Sequence, residues 1–212
     1  LVVPLCQDDA SCLASLHSEG RVLVDPATAR LEKLRPMFPG AVPQGFVVTA
    51  AGCQHYFQNG DLQSEINRCI QAAGGLAPNH LARLSKKLGA LVEATPLPED
   101  LAREIIDQVQ RLRGLCGNKP MQLLLRGRVW PPAAGEGEGC GVVLWGPPVP
   151  LNAPDEDILR AVRATLASKQ RAQALVYRRA RGLTEGGAGV CLTCMAVDEG
   201  CFGGIAQSSA PL

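Results

Sequence analysis

At 212 residues, with 46% hydrophobic and 19% charged residues, the chain can bury a core of ordinary globular size and has none of the composition of a disordered segment. A formal net charge of +1 leaves no electrostatic footprint for nucleic acid or an anionic membrane, and no apolar run approaches the roughly 18 residues that a bilayer span requires. Nucleic-acid binding and a membrane-spanning role are therefore not expected. In chain order, residues 12–19 and 26–37 read as helices, the second with Leu31, Leu34 and Met37 at helical spacing. The Pro-x-Gly turn in residues 38–45 leads into an apolar, β-branched strand over 46–49. Helices are expected at 50–57 and 61–73, the latter starting from an Asn-Gly-Asp turn and ending at Gly74-Gly75, and then at 79–94. Pro96-Leu97-Pro98 leads into another at 98–114, with Glu99 and Asp100 in its first turn where the helix dipole favours acids. From Met121 the pattern changes to strands at 121–126 and 140–146, a long helix at 155–181, and a hairpin at 188–208.

The nine cysteines are odd in number and irregularly spaced, which points to reduced, mostly buried thiols in a cytoplasmic protein. Cys191 and Cys194 form a C-x-x-C. A strand places residues three apart on opposite faces, which argues against joint metal ligation, and a zinc site would need further ligands. The three histidines, His17, His55 and His80, lie in three separate predicted helices with no Ser or Cys arrangement that the sequence alone marks as a triad, and no phosphate-loop motif ending in Gly-Lys-Ser/Thr occurs. Residues 130–139, Trp-Pro-Pro-Ala-Ala-Gly-Glu-Gly-Glu-Gly, read as a loop whose Glu136 and Glu138 are solvated. Because the chain starts at Leu1 without Met and stops just after a predicted strand, it reads as a piece of something longer.

Residues 38–49, Phe-Pro-Gly-Ala-Val-Pro-Gln-Gly-Phe-Val-Val-Thr, resemble the "GFPVPPGFVVT" stretch near the N-terminus of phosphoenolpyruvate synthase and pyruvate phosphate dikinase, in their ATP-binding domain of the ATP-grasp type. Four further segments are similar in the same order. Ser85 to Leu97 followed by Pro98-Glu99-Asp100-Leu101-Ala102-Arg103-Glu104-Ile105 resembles the helix pair "S-x-x-I-R…PLPEDLAREI", and Leu123-Leu124-Leu125-Arg126 resembles the strand "V-A-V-R-S-S". Ala161-Val162-Arg163 through Ala174-Leu175-Val176-Tyr177-Arg178 is similar to "AVR…WASL…RAIAYR", and Val190 to Pro211 to the hairpin "VVVQRMV…SGVAFTADP". The resemblance implies an α+β, ATP-grasp-like nucleotide-binding fold: a helix-rich part over 1–118, then over 119–212 a mixed, largely antiparallel sheet with a long packing helix.

The resemblance also implies ATP and magnesium as cofactors if the site works, because phosphoryl transfer depends on cations around the phosphates. The family's phosphate-binding Lys follows two glycines, and the matching residues here are Asp25-Pro26-Ala27. Its helical Arg corresponds to Gly89, with Lys86 and Lys87 on other sides of the helix, where they read as a solvated face. Arg126 keeps the family's basic residue at the sheet end; it is either a retained phosphate ligand or a strand-end Arg with a local carboxylate partner. The family's "S-S-A-T-A-E-D" becomes Gly127-Arg128-Val129-Trp130-Pro131-Pro132-Ala133, so hydroxyls and carboxylates are lost and Arg128 is an added cation. A Gln and a Glu toward the nucleotide correspond to Val142 and Leu144, and another Gln to Thr193. Two readings follow. One is a degenerate ATP-binding domain turned pseudoenzyme or binding module, with a protein partner or the remainder of a longer chain as its context. The alternative is the nucleotide-binding part of an active pyruvate, water dikinase-like phosphotransferase, completed by segments absent here.

Overall fold

The structure is a computed structural model, which describes residues 1–5, 24–38, 40–73, 78–130, 142–182 and 189–198. The elements in order are β1 (Val2–Leu5), α1 (Pro26–Leu34), β2 (Gly45–Val48), α2 (Ala50–Gln58), α3 (Leu62–Ala72), α4 (Pro78–Ala94), α5 (Glu99–Cys116), β3 (Gln122–Trp130), β4 (Val142–Trp145), β5 (Val149–Pro150), α6 (Asp155–Ala167), α7 (Ala172–Ala180) and β6 (Gly189–Val197), with single 3-10 turns at Asn59–Asp61 and Ser168–Gln170. The predicted helix at 12–19, the tip at 131–141 with Glu136 and Glu138, and the second half of the predicted hairpin lie outside the described residues.

Local chemistry accounts for the helix boundaries. Thr49 caps α2, its hydroxyl accepting from the Gly52 N–H at 3.2 Å. Glu99 and Asp100 occupy the first turn of α5, as predicted, and Gly117 ends it in a backbone conformation with φ of 59° that suits glycine. On α4, Leu81, Leu84, Leu88 and Val92 form the buried stripe at helical spacing. The predicted long helix over 155–181 is two helices. The chain breaks at Ser168–Gln170, and Arg171 is extended at φ −60°, ψ 145°. The buried Arg178 guanidinium, on α7, donates to the Lys169 carbonyl at 3.1 Å and to the Gln170 side chain at 3.3 Å, so the break's polar groups are satisfied by the helix that follows it.

The strands form one antiparallel sheet in the order β1-β2-β6-β3-β4, with β5 pairing β3 on the same edge as β4. Two departures from the sequence reading stand out. Val2–Leu5 is an edge strand that the sequence reading did not include. β6, the last strand among the described residues, is central: along Leu192–Met195 its two edges are taken by β2 and β3, while the second arm of the predicted hairpin lies outside the described residues. Gly45, the glycine of the Pro-x-Gly turn, is required by this arrangement. It lies so close to β6 that an added Cβ would collide with the Cys194 carbonyl oxygen.

Strand alternation divides the sheet into two faces. Phe46, Leu123, Leu125, Leu144 and Cys194 point into the main core, which α2, α3, α4, α5 and α6 complete. On the other face Val47 and Cys191 pack with Leu5 and Val24 in a second, smaller cluster beside Ala29 of α1. The arginines of β3 also belong to this second face.

Candidate functional site

Arg126 and Arg128 are two residues apart on β3 and point to the same side of the sheet. In register, Arg126 lies opposite Thr193 of β6 and Trp145 of β4, and Arg128 opposite Cys191 and Val143. Directly opposed residues of antiparallel strands share a face, with Cβ atoms about 5 Å apart. Both arginines are partly buried, and Arg126 Nη2 and Arg128 Nε are enclosed without a hydrogen-bond partner. Ion pairs among the described residues involve neither. An unsatisfied buried donor costs about 1–3 kcal/mol, more when charged, and an anionic oxygen placed there would recover it.

Beside the arginines lies a closed polar network. Asp25 caps α1, its Oδ1 accepting from the Ala27 N–H at 2.9 Å. Its Oδ2 accepts from the Thr28 hydroxyl at 2.6 Å and from the Cys191 thiol at 3.2 Å, and the Thr28 and Thr193 hydroxyls are 2.7 Å apart. All four side chains are buried. Burial, with the Asp25 carboxylate beside it, pushes the Cys191 thiol well above the ordinary range. Burial likewise raises Cys194 and pushes Cys53 up to about 12, so these thiols are neutral and poor nucleophiles. Cys191 and Cys194 sit on opposite faces, in the smaller and the main cluster, as the strand reading expects.

The positions matched to the family's site residues divide between the two sheet faces. Thr193 shares the arginine face and spends its hydroxyl on Thr28. Ala27 lies in the first turn of α1, partly exposed, with its N–H on Asp25. Val142 and Leu144 alternate away from Arg126 and Arg128; Leu144 is in the main core and Val142 packs against it. The β4 residues beside the arginines are Val143 and Trp145, 42% and 51% exposed. Gly89 stands on α4 with open space where a side chain would project, and Lys86 and Lys87 are exposed. His55 pairs with Asp100 at 3.1 Å and His80 is exposed; His17 lies outside the described residues. Among the described residues no group of three His, Cys, Asp or Glu side chains could hold a metal ion. Asp25, the carboxylate beside the arginines, is already engaged by four donors, so the described residues do not fit a magnesium site. Thr28 had no sequence signal of its own, since its partners are 165 positions away at Thr193 and three positions back at Asp25.

The described architecture is α+β with an antiparallel sheet, and on one of its faces Arg126 and Arg128 each keep an enclosed nitrogen without a hydrogen-bond partner. Residues 29–128 match the family described as pyruvate phosphate dikinase, AMP/ATP-binding domain, a stretch that runs from α1 through Arg128. The chain is also similar to a protein named "Probable phosphoenolpyruvate synthase" from Methanocaldococcus jannaschii, 31% identical over 85 residues. That alignment covers 40% of this chain and 7% of the relative's length. The resemblance read from the motifs is thereby borne out as a similarity: residues 29–128 resemble the ATP-binding domain of the phosphoenolpyruvate synthase and pyruvate phosphate dikinase family. No helix among the described residues is long and apolar enough to cross a membrane.

Proposed function

We propose that this chain is an ATP-grasp-like nucleotide-binding module that holds phosphate through Arg126 and Arg128 and does not transfer it, a pseudoenzyme within its family. The observation that carries this reading is the network of Asp25, Thr28, Thr193 and Cys191. At the N-terminus of α1 the Asp25 carboxylate takes the place an incoming anion would occupy, satisfies the local donors and repels further negative charge. The unpaired nitrogens of Arg126 and Arg128 supply the reason to retain binding. Without the Lys that corresponds to Ala27, and without a described carboxylate cluster for magnesium, the arginines orient an anion but leave the charge of a transferring phosphoryl group uncompensated. The free thiols support a cytoplasmic setting.

The test pairs binding with turnover. ATP at a hundred times its dissociation constant is expected to add about 2.7 kcal/mol, which in a domain of this size raises Tm by roughly 5 to 10 °C. The shift should vanish in Arg126→Ala, and no ATP consumption should accompany it with pyruvate present. ATP-dependent phosphorylation of pyruvate above the buffer rate would overturn the pseudoenzyme reading in favour of a dikinase-like phosphotransferase. Absence of any ATP-dependent shift would overturn the nucleotide-binding part.

A further inference from the structure

On the helical side of the sheet, away from Arg126 and Arg128, the charges of the chain are unevenly spread. Residues 66–92 hold four Lys and Arg and residues 158–184 hold seven, together eleven of the chain's 21, while none of its 20 Asp and Glu falls in either stretch. These stretches carry α4, most of α6 and all of α7, and α4 packs against both α6 and α7. A near-neutral total thus conceals one basic flank. Arg83, Lys86, Arg171 and Arg179 are exposed there, and the ion pairs among the described residues involve none of them. Arg179 and Arg181 stand at the C-terminal end of α7, where the helix dipole favours cations, but Arg171 stands at its N-terminal end, where the dipole disfavours one. Dipole compensation therefore does not account for the arrangement.

Along α7, between Arg171 and Arg179, runs an apolar groove of about 440 Å³ lined by Leu81 of α4 and by Ala172, Gln173, Val176 and Tyr177. Val176 is 49% exposed in it. The Arg181 guanidinium lies 5.0 Å from the centre of the Tyr177 ring, so the cationic rim reaches the groove wall. We propose that this groove is a docking site for an acidic amphipathic peptide segment of a partner protein. The segment's apolar side chains fill the space over Val176, and its carboxylates face Arg171, Arg179 and Arg181. A concave apolar strip with a basic rim suits a helix laid into a groove, with charge complementarity setting approach and orientation. An anionic membrane calls for a broad apolar face, whereas the large exposed apolar side chain of α7 is Val176 alone. A single-stranded nucleic acid calls for open aromatic planes, and the Tyr177 ring already carries Arg181. Because the groove lies on the main-core side of the sheet, this proposal is independent of the nucleotide reading.

The experiment selects from a displayed library of random peptides, roughly 14 residues or about four helical turns long, on the immobilised full chain, with Val176→Ser for counter-selection. The expected result is enrichment of sequences with apolar residues at helical spacing among Asp and Glu. A synthetic copy of one, followed by fluorescence anisotropy, should bind about 5- to 20-fold more weakly to Val176→Ser. Arg179→Glu should weaken it as well and lessen the dependence of affinity on salt. Both side chains are exposed, so the Tm of each variant should stay within about 2 °C of the unaltered protein. No enrichment over an uncoated surface, enrichment of peptides without acidic residues, or affinity that Val176→Ser leaves unchanged would overturn the proposal. Tighter binding to phosphatidylserine vesicles or to a single-stranded oligonucleotide, lost in the same variants, would overturn it in favour of a membrane or nucleic-acid surface. A sedimenting dimer that Arg179→Glu dissolves would overturn it in favour of a second copy of the chain.

Discussion

Replacing Asp25 by Ala separates a closed structural network from a ligand site. The carboxylate accepts from the Ala27 N–H, from the Thr28 hydroxyl and from the Cys191 thiol, all in the interior at the start of α1. Losing the cap costs about 1 kcal/mol. The Thr28–Thr193 pair then holds two hydroxyl protons for one remaining acceptor between them, and a buried donor left unmade costs about 1–3 kcal/mol. Removing a buried negative charge recovers a part of that total, so the net cost is roughly 1–3 kcal/mol, or about 3 to 12 °C in Tm at this chain length. Urea unfolding of the unaltered protein, Asp25→Ala and Asp25→Asn measures this directly. Asn keeps an N-cap oxygen and should cost less than Ala. If Asp25→Ala costs under about 1 kcal/mol while changing affinity for ATP, the carboxylate faces a ligand and the argument for a closed network is wrong.

Three further outcomes follow from the packing. Gly45→Ala should destabilise by about 1–3 kcal/mol, since its Cβ meets the rigid Cys194 carbonyl rather than a movable side chain; denaturant melts check it, and a neutral result would mean that β2 and β6 lie further apart. Glu32 and Arg35 form a buried pair at 2.9 Å, and Arg35 also donates to the Val42 and Pro43 carbonyls, holding the loop before β2. Arg35→Ala leaves the Glu32 carboxylate buried alone and should cost about 3–5 kcal/mol. The pH dependence has a definite sign at the alkaline end. Cys53, raised to about 12 when folded against 9.0 otherwise, contributes stability that is fully present below pH 9 and lost as pH rises toward 12, by about 1 kcal/mol between pH 9 and 10. Cys53→Ala should flatten that limb, and thiol reagent at pH 8 should label Cys53, Cys191 and Cys194 only on unfolding.

Much of the fold was legible from local patterns. The helices at 50–57 and 79–94, the acidic first turn of α5 and the strand carrying Arg126 all depend on residues within a few positions of one another, and each was found near its expected place. The opposition of Cys191 and Cys194 likewise follows from the two-residue period of a strand. The helix break at Ser168–Gln170 was not legible, because its satisfaction depends on Arg178 folding back and not on a Gly or Pro at the break itself.

The candidate site divides along the same line. Periodicity and motif spacing put Arg126 at the end of a strand over 121–126, whereas β3 continues to Trp130, so Arg126 stands in mid-strand with Arg128 two residues further along it. Spacing could not place Val142 and Leu144 on the core side of β4, because one residue of register decides which face a strand residue occupies, and the β3–β4 pairing settles that register. Nor could spacing make β6 a central strand, bring Thr193 and Cys191 to Thr28 and Asp25, or set Trp145 across from Arg126. Those neighbours are joined by side-chain contacts and strand pairing across long stretches of chain, so no local period encodes them, and the tertiary structure alone brings them to one face.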